Sequence, residues 1–324
     1  VDHPTTLYLS RADVEVVGLS MDRIIDVVEA ALIEKAHGRV QMPAKHWMEL
    51  RSTRWFGGMS SLIPSLGHAA MKWQSGSTEN AAHGLPYITG MLFLNDLETG
   101  LVASVMDSTW ITQQRTAAES AVAVKHLAKP DARNFAIIGC GVQARSHLDA
   151  FMHVIPELSE VIAFDIDPAA AQRYAELIEA RGLKATIVDS ARAALRRADV
   201  VVTAGPIEVD APRTIEAGWL PRGALGITLD YDCYWKPEAF AAADLLLTDD
   251  LGQIDHIKES GYFAGVPEPH GELGEVAAGL HRGRKSAVDT IITMNMGVAV
   301  EDAAVAKEIY ELARKNDVGV ELPL

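Results

Sequence analysis

The chain has 324 residues, 48% of them hydrophobic, which is enough for one or two domains with sizeable cores. Acidic residues outnumber basic ones 44 to 29, and the formal charge of −15 argues against a basic face that binds nucleic acid. Two cysteines give no disulfide framework and fit a reducing, cytoplasmic setting, no apolar run reaches the length of a membrane span, and no signal-peptide pattern opens the chain.

In chain order, Leu7–Leu9 reads as a strand, Ser10 as the cap of a short helix, and Ser20 as the cap of a longer one running to His37 with Gly38 as its stop. Residues 40–110 are rich in short strands: Val40–Met42, Met48, Trp55-Phe56, Ala70–Trp73, Ile88–Leu94 and Leu101–Val105. Pro43, Pro64, Gly84-Leu85-Pro86 and Glu98-Thr99-Gly100 mark turns between them. Thr112–Leu127 is an alanine-rich helix.

A different organisation follows. The apolar run Phe135–Ile138 stops at Gly139 and opens Gly-x-Gly-x-x-Ala, with Gly139, Gly141 and Ala144, before a helical segment. In a dinucleotide-binding unit the first glycine permits the tight turn, the second lets backbone approach a pyrophosphate, and Ala144 lets the helix pack on the strand. A second apolar run, Val161–Phe164, ends at Asp165, 26 residues after Gly139. A carboxylate there accepts hydrogen bonds from an adenosine ribose and repels a 2′-phosphate, so NAD is favoured over NADP. Asp167 caps a helix starting at Pro168 and stopping at Gly182. The strands Ala185–Val188, Val200–Ala204, Ala224–Leu229 and Leu245–Thr248, with a short helix at Ser190–Arg197, continue the alternation that makes a doubly wound parallel sheet. Asn295–Asn316 reads as one long amphipathic helix that crosses back to the first domain.

The first domain holds three cations in apolar or strand settings: Lys45, Lys72 and Arg115. A buried lysine needs an anionic partner, and an arginine fork suits a carboxylate. Each also has a structural alternative: a snorkelling Lys45, an internally paired Lys72, a solvated Arg115. His256, His270 and His281 lack paired ligand spacing, so no metal is expected; His270, near Glu272, has a loop-ordering role. Cys140, inside the glycine loop, reads as a small filler.

Several separate segments carry a resemblance to a known family: Met42–Lys45, Met71-Lys72-Trp73, Gly84 through Asp96, Gln114–Ala118, the loop Gly139–Ala144, Asp232 through Glu238, Glu272–Glu275 and Gly297–Asp302. Across nearly its whole length the chain resembles the ornithine cyclodeaminase / mu-crystallin family. The resemblance implies a homodimer, with a substrate-binding and dimerisation domain of α+β type (1–128 and 295–324) and a Rossmann domain (129–294). It implies action on the C–N bond of a small amino acid or imine, by an imine reductase or amino-acid dehydrogenase. By matching motif, Lys72 and Arg115 bind the substrate carboxylate with help from Lys45, and Asp232 is the acid/base aspartate, with Asp230 its local rival. Thr116, Gly139, Gly141, Val142, Gln143, Ala144, Asp165, Thr203, Asp232 and Asn295 are the implied cofactor contacts. Met59 and Tyr87 depart from the glutamate and threonine that true cyclodeaminases carry, which argues against ornithine. Two rival readings follow from the same resemblance: a deaminating cyclase that recycles its NAD, and a non-catalytic ligand-binding protein. Trp47, Trp73 and Trp235 are candidates for shaping or narrowing the pocket.

Overall fold

The computed structural model of the chain describes residues 4–51 and 54–324. They fall into two compact units, one of Val1–Arg115 with Val298–Leu324, the other of Thr116–Gly297.

The first unit begins with β1 (Thr5–Leu9), α1 (Arg11–Val16) and α2 (Met21–Ala36). Ser10 caps α1 in a reciprocal box with Asp13. Ser20 holds the N-cap position of α2 but makes no side-chain bond there. The strands β2 (His46–Arg51), β3 (Arg54–Ile63), β4 (His68–Ser77), β5 (Ile88–Asp96) and β6 (Val102–Asp107) follow. The strand expected at Val40–Met42 is reduced to a single bridge between Gln41 and Leu62. Pro43 offers no N–H to a ladder, and continuous pairing starts only at His46. The helix α3 (Thr109–Leu127) then runs out of this unit into the next.

The second unit is an eight-stranded sheet with every pairing parallel. Its elements are β7 (Asn134–Ile138), α4 (Val142–Val154), β8 (Glu160–Phe164), α5 (Pro168–Ala180), β9 (Lys184–Ile187), α6 (Ala191–Leu195), β10 (Val200–Thr203), β11 (Leu225–Thr228), α7 (Pro237–Ala241), β12 (Leu245–Thr248), α8 (Leu251–Glu259), β13 (Gly271–Glu272), α9 (Leu273–Ala277) and β14 (Ile291–Met294). The spatial order β13-β12-β14-β11-β10-β7-β8-β9 reverses direction between β7 and β10. That switch point, beyond the carboxyl ends of the strands, is where doubly wound sheets bind dinucleotides. The unit is therefore a Rossmann fold, and its central strands are buried on both faces, as their unbroken apolar runs require.

Several elements of the C-terminal half, β14 and α8 among them, carry no clear local signal in the sequence. Ile291–Met294 is an apolar run too short to separate from a buried helix segment by periodicity. Its neighbours β11 and β12 decide its state. The helix expected to start at Asn295 starts instead at Ala299. The Asn295 N–H still donates to Thr228 O, extending the ladder, and Gly297 turns the chain at φ 80° before helix can form.

The chain returns to the first unit as α10 (Ala299–Asn316) and β15 (Val320–Pro323). The mostly antiparallel sheet there has the order β15-β1-β6-β5-β4-β3-β2. One face is covered by α10, which packs on β3, β4 and β5 beside α2. This is an α+β arrangement.

Candidate functional site

In the second unit the glycine loop has the geometry its sequence implied. Gly139 has φ 97°, and a Cβ there would lie 2.7 Å from Ala204 O, so only glycine fits. Gly141 is the N-cap of α4, and a Cβ built on it meets nothing within 4 Å. The open space beside Gly141, at the N-terminus of α4, leaves room for an anion to approach the first N–H groups of that helix. Asp165 stands at the end of β8 and accepts from Cys140 N–H at 2.7 Å and Asp167 N–H at 2.8 Å. Each oxygen keeps a lone pair for a ribose hydroxyl. The residues present fit a dinucleotide.

Cys140 and Cys233 are buried, and burial pushes both thiols up to about 12, which leaves them unreactive. Beneath the loop His147 is buried between α4 and α3, with Nδ1 2.8 Å from Gln143 O and Nε2 2.9 Å from Ser120 Oγ.

The loop after β11 carries both Asp232, which the family spacing favours, and its local rival Asp230. Asp230 is fully engaged: it accepts from Thr203 Oγ1 at 2.7 Å and Gly205 N–H at 3.0 Å. Burial raises its pKa to about 7, against the lowering effect of those bonds. Thr203 in turn accepts from Trp235 Nε1 at 3.1 Å, so its hydroxyl links Trp235 to Asp230 in an internal chain. Asp232 is also buried, but only its Oδ2 is held, by Arg213, while Oδ1 has no hydrogen-bond partner. A bare buried carboxylate oxygen is costly unless a donor arrives.

Trp235 does not narrow a pocket. It is fully buried in the core of the unit, packed near Phe240, and Gly226 of β11 leaves the space its ring fills. On the other side of Asp232, Tyr231 has φ 57° and packs edge-on against Tyr262 at 4.9 Å. The aspartate is thus fixed between two aromatic anchors. Sequence reading also passed over Tyr234, whose hydroxyl lies so close to Gly205 that a Cβ there would be 1.8 Å away. Asn295, at the end of β14, accepts from Thr293 Oγ1 at 2.7 Å and leaves its Nδ2 buried without a partner. Its free donor suits a carbonyl oxygen. His270 orders the loop before β13, accepting from Leu246 N–H at 3.0 Å.

The first unit gathers the cations. Lys72, in β4, is 1% exposed, with its Nζ 2.7 Å from Asp302 Oδ2 and donating to Thr112 Oγ1 at 3.2 Å. Arg115, in α3, pairs with Glu301 at 3.1 Å and lies 3.4 Å from Asp302. Both carboxylates come from the first turn of α10, where the helix dipole also favours them. Burial lowers the Lys72 pKa to about 8; Asp302 opposes the shift, and Arg115 and Lys45 reinforce it. Lys45 stands just before β2 and is half-buried.

Register puts Met59 directly across from Lys72 on the same sheet face. Gln74, two residues along β4, shares that face; its Nε2 lies 3.5 Å from Met59 Sδ and its buried Oε1 has no partner. Gln74 was not anticipated, since a glutamine in a strand carries no signal of its own. Trp47 is opposite Gly57, also on this face, and stacks on Trp55 at 4.1 Å. Trp73 points the other way and is 40% exposed, so it takes no part in the Lys72 face. Thr116 is buried in α3 and Tyr87 is half-buried before β5. Among the described residues no group of three His, Cys, Asp or Glu could hold a metal, and no helix is long and apolar enough to cross a membrane.

Comparison with known proteins yields full-length matches. A model of the Ornithine cyclodeaminase/mu-crystallin family matches residues 5–317. An alanine dehydrogenase of Archaeoglobus fulgidus is 34% identical over 323 residues, covering 97% of each chain. Among solved structures, the Thermococcus litoralis Delta(1)-pyrroline-2-carboxylate reductase in complex with NADH and L-proline is 31% identical with a TM-score of 0.88, covering 98% of this chain and 100% of that one. An archaeal alanine dehydrogenase dimer with bound NAD is 32% identical with a TM-score of 0.90, covering 99% and 100%.

Proposed function

The chain belongs to the ornithine cyclodeaminase/mu-crystallin family, and from that premise we propose how its residues carry the reaction. It is an NAD-dependent oxidoreductase that acts on the C–N bond of a small amino acid or imine, as its relatives named for alanine and for pyrroline-2-carboxylate do. Lys72 and Arg115, with Lys45 beside them, bind the substrate carboxylate. The observation that supports this reading is that Lys72 and Arg115 are buried together on one pre-arranged pair of carboxylates, Asp302 and Glu301, which holds both cations in place for a shared anionic group. Fixing the carboxylate fixes the orientation of the carbon that reacts.

Gly139, Gly141, Val142, Gln143, Ala144 and Asp165 hold the dinucleotide, and the Asp165 carboxylate selects NAD over NADP. Thr116 and Asn295 complete the cofactor contacts, Asn295 through its free amide donor. A dinucleotide held there would supply hydride exchange at the carbon of the C–N bond. Asp232 receives the N–H of the iminium through Oδ1, which stabilises positive charge on nitrogen as the carbon becomes electrophilic. Thr203 acts at one remove, through Asp230.

Met59 opposite Lys72 supports a substrate without a distal ammonium group, since a thioether cannot pair with a second amine. That weighs against the cyclodeaminase reading. Intact Lys72, Arg115 and Asp232 weigh against a non-catalytic binding protein. A homodimer is the proposed assembly, by likeness to the archaeal alanine dehydrogenase dimer. A cytoplasmic location suits two unbridged, buried thiols.

The test is a screen of cyclic imines, of small 2-oxo acids with ammonia or amines, and of L-amino acids, following NADH and NADPH absorbance in both directions. Stoichiometric NADH consumption with an imino acid is the expected result. Ammonia release from a diamino acid with no net change in NADH would establish the cyclase. Tight NADH binding without turnover of any member would establish the ligand-binding role.

A further inference from the structure

We propose that Arg213 is a positioning residue for Asp232: its guanidinium holds one carboxylate oxygen and so directs the other at the nitrogen of the reacting C–N bond. The inference rests on the role given to Asp232 above and adds a residue that no motif marks.

The geometry is lopsided. Arg213 Nε and Nη2 both lie 2.8 Å from the same oxygen, Oδ2. A fork laid squarely on a carboxylate would engage both oxygens. Here Oδ1 is left buried and bare. A structural ion pair gains nothing from that arrangement, because the unmet oxygen bears the full desolvation penalty. A residue waiting for an N–H donor requires it.

The backbone around the pair is stapled. Thr214 and Ile215 both donate N–H to Tyr234 O, at 3.0 and 2.8 Å, and Lys236 N–H returns to Ile215 O at 2.9 Å. A bridge joins Ile215 to Trp235. The loop that carries Arg213 and the loop that carries Asp232 are thereby tied within a few residues of both side chains. Trp235 then anchors the staple in the core through Thr203. Such backing holds a first contact in place more closely than a free loop could. Among the ion pairs described, the cation on Asp232 is Arg213. Asp230 is committed to Thr203 and Gly205, and Cys233 exchanges hydrogen bonds with the Glu208 backbone.

The test uses the full chain in four variants: Arg213→Gln, Arg213→Lys, Asp232→Asn, and the Arg213→Gln, Asp232→Asn double. Turnover is measured with Δ1-pyrroline-2-carboxylate and NADH, and NADH affinity by fluorescence titration. Arg213→Gln should lower kcat by about 10-fold or more with NADH affinity unchanged, and Arg213→Lys should recover part of the loss. In the double variant the arginine change should add nothing to the loss from Asp232→Asn, since Arg213 acts through that carboxylate alone. Losses that multiply would overturn the proposal, as would wild-type kcat in Arg213→Gln beside an inactive Asp232→Asn. Wild-type turnover in Asp232→Asn would instead remove the role of Asp232 itself. A second measurement needs no turnover. Binding of L-proline to the NAD-loaded chain should weaken in Arg213→Gln, while tetrahydrofuran-2-carboxylate, with oxygen in place of the N–H, binds as before. Equal weakening of both would sink the inference.

Discussion

Lys72 keeps a positive charge where burial opposes it, and its pKa of about 8 makes that charge sensitive near neutral pH. The sign follows directly: as pH rises through about 8 the free enzyme loses the Lys72 ammonium, the group proposed to meet the substrate carboxylate. We therefore expect kcat/KM for the imino acid to fall on the alkaline side from about pH 8, while kcat holds to higher pH because the bound carboxylate's negative charge raises the lysine pKa. A pH series of both parameters checks it, and a kcat/KM flat to pH 10 would contradict it. As a lysine in an apolar strand, Lys72 was legible in the sequence. Its partner Asp302, on a helix at the far end of the chain, was not. Asp230 and Asp232 show a related case. Motif spacing favours Asp232, and the contacts add the physical reason: Asp230 is saturated, while Asp232 has an oxygen to offer.

Helices α3 and α4 are joined by His147, whose imidazole reaches back to Ser120. Burial pushes its pKa down to about 4, below the unfolded value of about 6.5. Since the folded value is depressed, the contribution to stability is complete above about pH 6.5 and is lost as pH falls toward 4. Urea unfolding followed at a series of pH values should show that decline, and His147→Gln should flatten it. The same variant should cost about 1 kcal/mol at pH 7 through the bond to Ser120. An unchanged slope would assign acid sensitivity elsewhere. At this scale the helices and strands with turn or cap signals were readable, α5 from Asp167-Pro168 most plainly. β14 was not, because a four-residue apolar run takes its state from the strands on either side.

The two units differ in how they are assembled along the chain. The second is continuous, whereas the first needs α10 from the far end to cover β3, β4 and β5 and to bring Glu301 and Asp302 to the cations. A fragment of residues 109–297, which keeps α3 whole, should fold and bind NADH by itself. A fragment of residues 1–115 should not fold, since it exposes the sheet face that α10 covers and leaves Lys72 buried without its counterion. Circular dichroism and NADH fluorescence of the two fragments decide it; a cooperatively folded 1–115 would refute the dependence on α10.

By itself the sequence determined the dinucleotide unit, because a strand, a Gly-x-Gly-x-x-Ala turn and a helix start are local events written in consecutive residues. It also determined which cations were out of place, because an ammonium in an apolar run is anomalous wherever the strand goes. Only the tertiary structure decided what those groups meet: Asp302 against Lys72, Arg213 against Asp232, and Trp235 in the core instead of a pocket. Pairings between residues distant in the chain leave no periodic trace, and a buried charge or ring is assigned its role by the neighbours that folding brings to it.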